Sequence, residues 1–169
     1  MSRAFVKESE DAAPELPELP LSAHPNHVTT RGLSLLRERL AAVEAGLETQ
    51  SAEPDADPLR RAHAEREARW LRARIQAALP ADPAQAPRDR VAFGSTVEVQ
   101  APDGARHRYR IVGEDEADPE QGLVSWVSPL ARALLGARIG DTVAWRRPAG
   151  DLEIEVAAIE PPAPDRDAA

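Results

Sequence analysis

Five carboxylates, Glu44, Glu48, Glu53, Asp55 and Asp57, fall within 14 residues that hold no basic group. Oxygen donors at this density suit a hard divalent cation such as Mg²⁺, which keeps several waters and takes only one or two protein carboxylates. A site of this kind is completed by phosphates or carboxylates from a partner, so no metal is expected to be held by this chain alone. The same residues also fit a solvated turn in which Asp and Pro serve backbone geometry. Asp55 or Asp57 can instead cap a helix that starts at Pro58, a use that competes for the same oxygens.

Behind the carboxylates, Arg60, Arg61, Arg66, Arg69, Arg72 and Arg74 outnumber Glu65 and Glu67. An acidic end followed by a basic shaft can lie beside phosphates while sending carboxylates further in, which makes Arg60, Arg61, Arg66 and Arg69 candidate contacts to nucleic acid or a channel wall. Arg–Glu pairing across a helical hairpin is the alternative. Arg supplies all the basic residues except Lys7, so their number alone decides little. His63 has no second ligand near it and reads as an exposed helix residue.

Leads to a self-contained enzyme fail. Ser95, Ser125 and Ser128 share a segment with one histidine, His107, and lack a glycine-flanked nucleophile turn. The glycines of Gly136-Ala137-Arg138-Ile139-Gly140-Asp141 match neither a phosphate loop nor a dinucleotide fingerprint. The chain has no Cys, which excludes thiol chemistry and thiolate metal sites. The acidic run Glu114 to Asp118 reads as a solvated face. Trp126, Trp145 and Tyr109 read as core residues of a small sheet, or as exposed binding aromatics beside Arg146 and Arg147. The pattern favours a binding protein.

The elements that must position these groups follow from composition. The 169 residues carry 21 Lys plus Arg against 29 Asp plus Glu, a net charge of −8. With 16 Pro and only 4% aromatic residues, a core cannot extend over the whole length, so tails and linkers are expected. Nothing approaches the roughly 20 apolar residues of a membrane span, and the first residues turn acidic where a signal peptide turns apolar. A cytoplasmic protein with no membrane partner is expected.

Residues 1–28, broken by Pro14, Pro17, Pro20 and Pro25, read as a disordered acidic tail. Residues 29–79 read as a helical hairpin with its tip at 50–58. Leu33, Leu36, Leu40, Val43 and Leu47 form one seam, and Ala64, Ala68, Leu71, Ile75 and Ala78 the other, at alternating spacings of three and four. The second helix is expected from Pro58 to Leu79. Residues 80–89, with Pro80, Pro83 and Pro87, read as a linker. Residues 90–160 alternate β-branched runs with Gly, Pro and Asp, as in a small antiparallel sheet with one short helix from Pro129, and residues 161–169 form a second tail. The class is α+β.

The run Tyr109-Arg110-Ile111-Val112-Gly113-Glu114-Asp115-Glu116-Ala117-Asp118 is followed by Ser128-Pro129-Leu130-Ala131-Arg132-Ala133-Leu134-Leu135-Gly136, then Gly140-Asp141 and Pro148-Ala149-Gly150-Asp151. Together they resemble the carboxy-terminal domain of the bacterial Gre transcript cleavage factors. Ser2 to Glu8 and Thr29-Thr30-Arg31-Gly32 resemble the GreB-like branch. The resemblance implies a monomeric elongation factor that works with RNA polymerase on DNA. It implies an FKBP-like domain docked at the rim of the polymerase secondary channel and a coiled coil entering that channel. In active members, tip carboxylates help hold the second Mg²⁺ of the polymerase active centre, which then cuts the 3′ end of backtracked RNA. The factor is thus not itself an enzyme and has no intrinsic cofactor.

By the same resemblance, the docking candidates are Glu114, Asp115, Glu116, Asp118, Ser128, Pro129, Leu130, Arg132 and Leu134. The tip candidates are Asp55, Asp57 and Glu53. Two departures stand out. The family tip reads Gly-Asp, two residues, then Glu-Asn, and of these only Asp55 finds a match here. Gly32 to Asp55 is 23 residues, several fewer than in a typical Gre arm. At about 1.5 Å per residue the reach shortens by roughly 10 Å. The alternative is a channel binder that modulates pausing, or competes with other channel factors, without cleavage. Proline isomerase activity is disfavoured because fold alone does not carry function.

Overall fold

The computed structural model describes residues 16–52 and 57–162. A helical hairpin comes first. Helix α1 runs from Thr30 to Ser51, and Thr29 caps it by accepting the Gly32 amide at 2.9 Å on its hydroxyl. Helix α2 runs from Pro58 to Gln76, with Pro58 in the first turn, where its missing amide costs nothing. The two heptad-like stripes meet. Leu36 and Leu71 are buried with Val28, and Leu33, Leu40, Val43, Trp70 and Ile75 pack around them.

The sequence reading is corrected at both ends of this hairpin. Residues 26–28 are not tail: Asn26–Val28 forms a strand, β1, that pairs in parallel with β2, Ala78–Pro80. Helix α2 therefore stops before Leu79, and the first residue of the expected linker lies in a ladder. Pro80 explains the stop, because it cannot continue a helix and it disfavours helical backbone at Leu79. The Ala81 amide then donates to the Val28 carbonyl at 3.0 Å.

The sheet domain contains β3 (Thr96–Gln100), β4 (Arg106–Val112), β5 (Leu123–Ser125), α3 (Pro129–Leu134), β6 (Thr142–Trp145) and β7 (Leu152–Glu160). The strand order is β5-β4-β3-β7-β6. All pairs are antiparallel except β4–β5, a second difference from expectation. The segment between β4 and β5 is too long for a hairpin. It forms two 3₁₀ turns, at Glu114–Glu116 and Pro119–Gln121, that return the chain for a parallel pairing.

Alternation along β3 buries Val97 and Val99, which join Ile111, Ile154 and Val156 of the sheet and Leu130 and Leu134 of α3 in one core. Ser128 caps α3 by accepting the Ala131 amide at 3.2 Å. Tyr109, Trp126 and Trp145 pack at the edge of this core, partly buried. Among the described residues, no helix is long and apolar enough to cross a membrane.

Leu71 is fully buried on the hairpin seam, whereas Leu35 is 41% exposed on α1. Leu71→Ala is expected to lower unfolding free energy by about 2–5 kcal/mol. Leu35→Ala should change it by no more than about 0.5 kcal/mol. Urea titrations followed by circular dichroism check the pair, and equal effects would refute the assignment of the seam.

Candidate functional site: the helical arm and its base

At the tip, Asp57 caps α2, its Oδ1 accepting the Leu59 amide at 2.9 Å. Glu53 and Asp55 lie outside the described residues. Glu44 accepts from Arg72 at 2.6 Å and Glu48 is exposed, so the five clustered carboxylates do not share one role. Among the described residues, no group of three or more His, Asp or Glu is placed to share a metal ion. Arg61 bridges the two helices near the turn, donating to Glu65 at 2.8 Å and to the Ser51 hydroxyl at 3.1 Å.

The sides of the arm are laced by ion pairs. Arg39 meets Glu67 at 2.6 Å and Arg72 meets Glu44 at 2.6 Å. Side chains lean towards the N-terminus of their own helix, so in an antiparallel pair Arg72 reaches tipward while Glu44 reaches towards the base. These exposed pairs each contribute about 0.2–1 kcal/mol. Arg66 and Arg69 are engaged by the segment preceding β1. Glu18 accepts from Arg69 at 2.7 Å, and this hydrogen bond holds the guanidinium further towards its protonated form. Arg60 is exposed and His63 lies 3.1 Å from Arg66.

The base is where the acidic run Glu114 to Asp118 is found. The run is not a solvated face. Arg74, 4% exposed, donates to Asp115 Oδ2 at 2.8 Å and to Asn26 Oδ1 at 2.6 Å, with Glu114 Oε2 at 3.9 Å. Asn26 returns its amide to the Arg74 carbonyl at 2.8 Å, satisfying a helix-end acceptor that α2 itself leaves open. The Arg74 guanidinium also lies 5.9 Å from the centroid of Trp70. Glu116 is buried and accepts the Thr29 hydroxyl on Oε2. Thr29 thus donates to the sheet domain while accepting at the start of α1, which a hydroxyl can do at once.

Two glycines allow this contact. A Cβ on Gly32 would stand 2.7 Å from Glu116 Oε2, and one on Gly113 would stand 2.6 Å from the His27 carbonyl oxygen. His27 also packs edge-on to Trp126, with centroids 5.0 Å apart.

The nine docking candidates therefore divide. Glu114, Asp115 and Glu116 join the arm to the sheet domain. Asp118 and Ser128 cap short helices, and Leu130 and Leu134 are core. Pro129 and Arg132 are exposed on α3. Sequence reasoning missed Asn26, Trp70 and the particular role of Arg74. A buried Arg within an Arg-rich helix carries no distinguishing spacing. A signal for Asn26 existed in its position between Pro25 and β-branched Val28.

Comparison with known proteins places this geometry. Residues 86–161 match the family described as transcription elongation factor, GreA/GreB, C-term. The transcription elongation factor GreA of Nautilia profundicola is 36% identical over 76% of this chain and 80% of its own length. The chain belongs to the GreA/GreB family. GreB of Neisseria meningitidis serogroup B is 43% identical over 57% of this chain, and the match spans 60% of the Neisseria protein. A solved structure of GreA factor homolog 1 from Thermus thermophilus is similar at 25% identity over 81% of this chain and 99% of that one, with a TM-score of 0.39.

For this GreA/GreB protein, Gly32→Ala gives a test of sign. Gly to Ala inside a helix ordinarily gains about 0.5–1 kcal/mol. Here the buried Glu116 carboxylate must move, and a net loss of about 1–2 kcal/mol is expected in a denaturant titration. A gain in stability would show that the contact at the arm's base is loose.

Proposed function

We propose that this chain is a non-enzymatic elongation factor of the GreB-like branch, acting in the cytoplasm as a monomer. It binds RNA polymerase at the secondary channel through an FKBP-like sheet domain and stimulates polymerase's own cleavage of backtracked RNA at the 3′ end. The observation that supports this is an arm fixed at its root. Helix α1, 22 residues long, has its first turn held by Glu116. At about 1.5 Å per residue its far end lies roughly 30 Å from that contact. A rooted arm delivers its far end to a defined depth, and positioning of reacting groups is worth large rate factors.

The Mg²⁺ of this reaction belongs to the polymerase, and when bound it neutralises charge at the attacking and leaving oxygens. This chain supplies Glu53, Asp55 and Asp57 as candidate carboxylates near it. Pro129 and Arg132, exposed on α3, are the candidates left free for docking, while Arg60, Arg61, Arg66 and Arg69 are the candidate contacts to the channel or RNA.

One observation favours a second reading. Asp57 is the α2 cap, so one of its oxygens is committed to backbone. Together with the shortened arm and divergent tip, this supports a channel occupant that competes with other factors and does not cut.

Asp55→Asn with Asp57→Asn removes both charges while keeping side chains that can cap a helix. With a defined backtracked complex, the double variant is expected to reduce stimulated cleavage about 10- to 100-fold at unchanged polymerase affinity. If the parent protein leaves saturated complexes uncut yet displaces a second channel factor, the non-cleaving reading holds instead.

A further inference from the structure

The residues before β1 lie along the arm. Leu16–Ser22 forms no helix or ladder, and it is tied to the fold at four positions. The Pro17 carbonyl accepts from Arg66 Nη1 at 3.2 Å. Glu18 Oε1 accepts from Arg69 Nε at 3.0 Å and Nη2 at 2.7 Å. The Pro20 carbonyl accepts the Trp70 indole N–H at 3.1 Å. The Ser22 hydroxyl donates to Glu114 at 3.0 Å, at the arm's base.

Arg66, Arg69 and Trp70 stand three and four apart and therefore share one face of α2. A row of guanidinium groups beside an indole is the composition of a single-strand nucleic-acid groove: cations track the phosphates and a ring offers a stacking surface. In the free protein that face is occupied. The occupant mimics what it excludes, since its Pro17 and Pro20 carbonyls and its Glu18 carboxylate present acceptor oxygens to α2. Its bonds to α2 are on the surface, with the Glu18 and Arg69 side chains 63% and 50% exposed. Each is weak, but attachment through β1 keeps the segment close, at an effective concentration in the millimolar range (about 1 mM) for a short tether. A cover of this kind closes without a partner and yields to a stronger polyanion.

We propose that Leu16–Ser22 is a cis cover over an RNA-facing side of α2, closed in the free protein and displaced when a single-stranded RNA backbone binds. The inference rests on α2 facing RNA, as proposed above. Its test uses no polymerase, so it fails separately from the cleavage and docking readings. If the cover is closed about nine-tenths of the time, it lowers apparent RNA affinity about ten-fold.

The test compares the full chain with its Glu18→Arg and Glu120→Arg variants, which make the same charge change. Glu120 is exposed on the turn between β4 and β5 of the sheet domain. Binding of a fluorescent single-stranded oligouridylate is read by anisotropy at low and at physiological salt. Glu18→Arg should tighten binding about five-fold more than Glu120→Arg. In parallel, hydrogen exchange of the Trp70 indole, assigned with Trp70→Phe, should be slow in the parent. It should become fast in Glu18→Arg. Equal gains from the two charge reversals, or a Trp70 indole still protected in Glu18→Arg, would overturn the proposal. So would displacement by an acidic proline-rich peptide but not by RNA.

Discussion

A buried guanidinium holds the two halves of this protein together. Arg74 sits on the last turn of α2, and its partners come from β1 and from the turn after β4, so three distant stretches of chain converge on one charge. A buried charge gains net stability only when its geometry is good and its donors are satisfied, and it costs several kcal/mol, about 3–5, when one partner is lost. That asymmetry makes the junction specific. Apolar contacts alone would let the arm settle at a range of angles. A fork of directional hydrogen bonds from Arg74, with the Thr29–Glu116 bond and the close glycine contacts beside it, selects one.

The same junction explains what the sequence conveyed and what it did not. Heptad spacing from Leu33 to Leu47 placed the first helix. Pro129 placed α3, and the β-branched runs between Gly, Pro and Asp placed the strands of residues 90–160, because each is a local rule with a local cause. The parallel pairing of β1 with β2 joins residues about fifty positions apart and leaves only short signals at each end. The acidic run Glu114 to Asp118 looked like a solvated face because its counter-charge, Arg74, lies forty residues away in a helix full of arginines. Its use as the root of the arm depends on tertiary contacts that periodicity does not encode.

Charge is used differently along the arm. At the base it is buried and directional. Along the shaft it is paired at the surface, as in Arg39–Glu67 and Arg72–Glu44, where solvent and salt screen it. The net charge of residues 29–79 is therefore a poor guide to the field a partner meets. What counts is which guanidinium groups are already answered, and by how strong an anion. Partners offered in cis by Leu16–Ser22 can be exchanged for phosphates, whereas those of Arg74 are locked in.

Packing declines in the same direction. The best-buried apolar residues around the hairpin, Ala68, Leu71, Val28 and Leu36, lie between its middle and its base, while Val43 further out is only partly buried. Towards the turn, Gln50 is buried with its Oε1 lacking a partner, and Leu59 is 46% exposed. Local opening costs least where few apolar contacts are lost and backbone bonds face solvent. The hairpin is thus held most firmly where it meets the sheet domain and opened most easily away from it, so strain introduced towards its far end can relax there before it reaches the root.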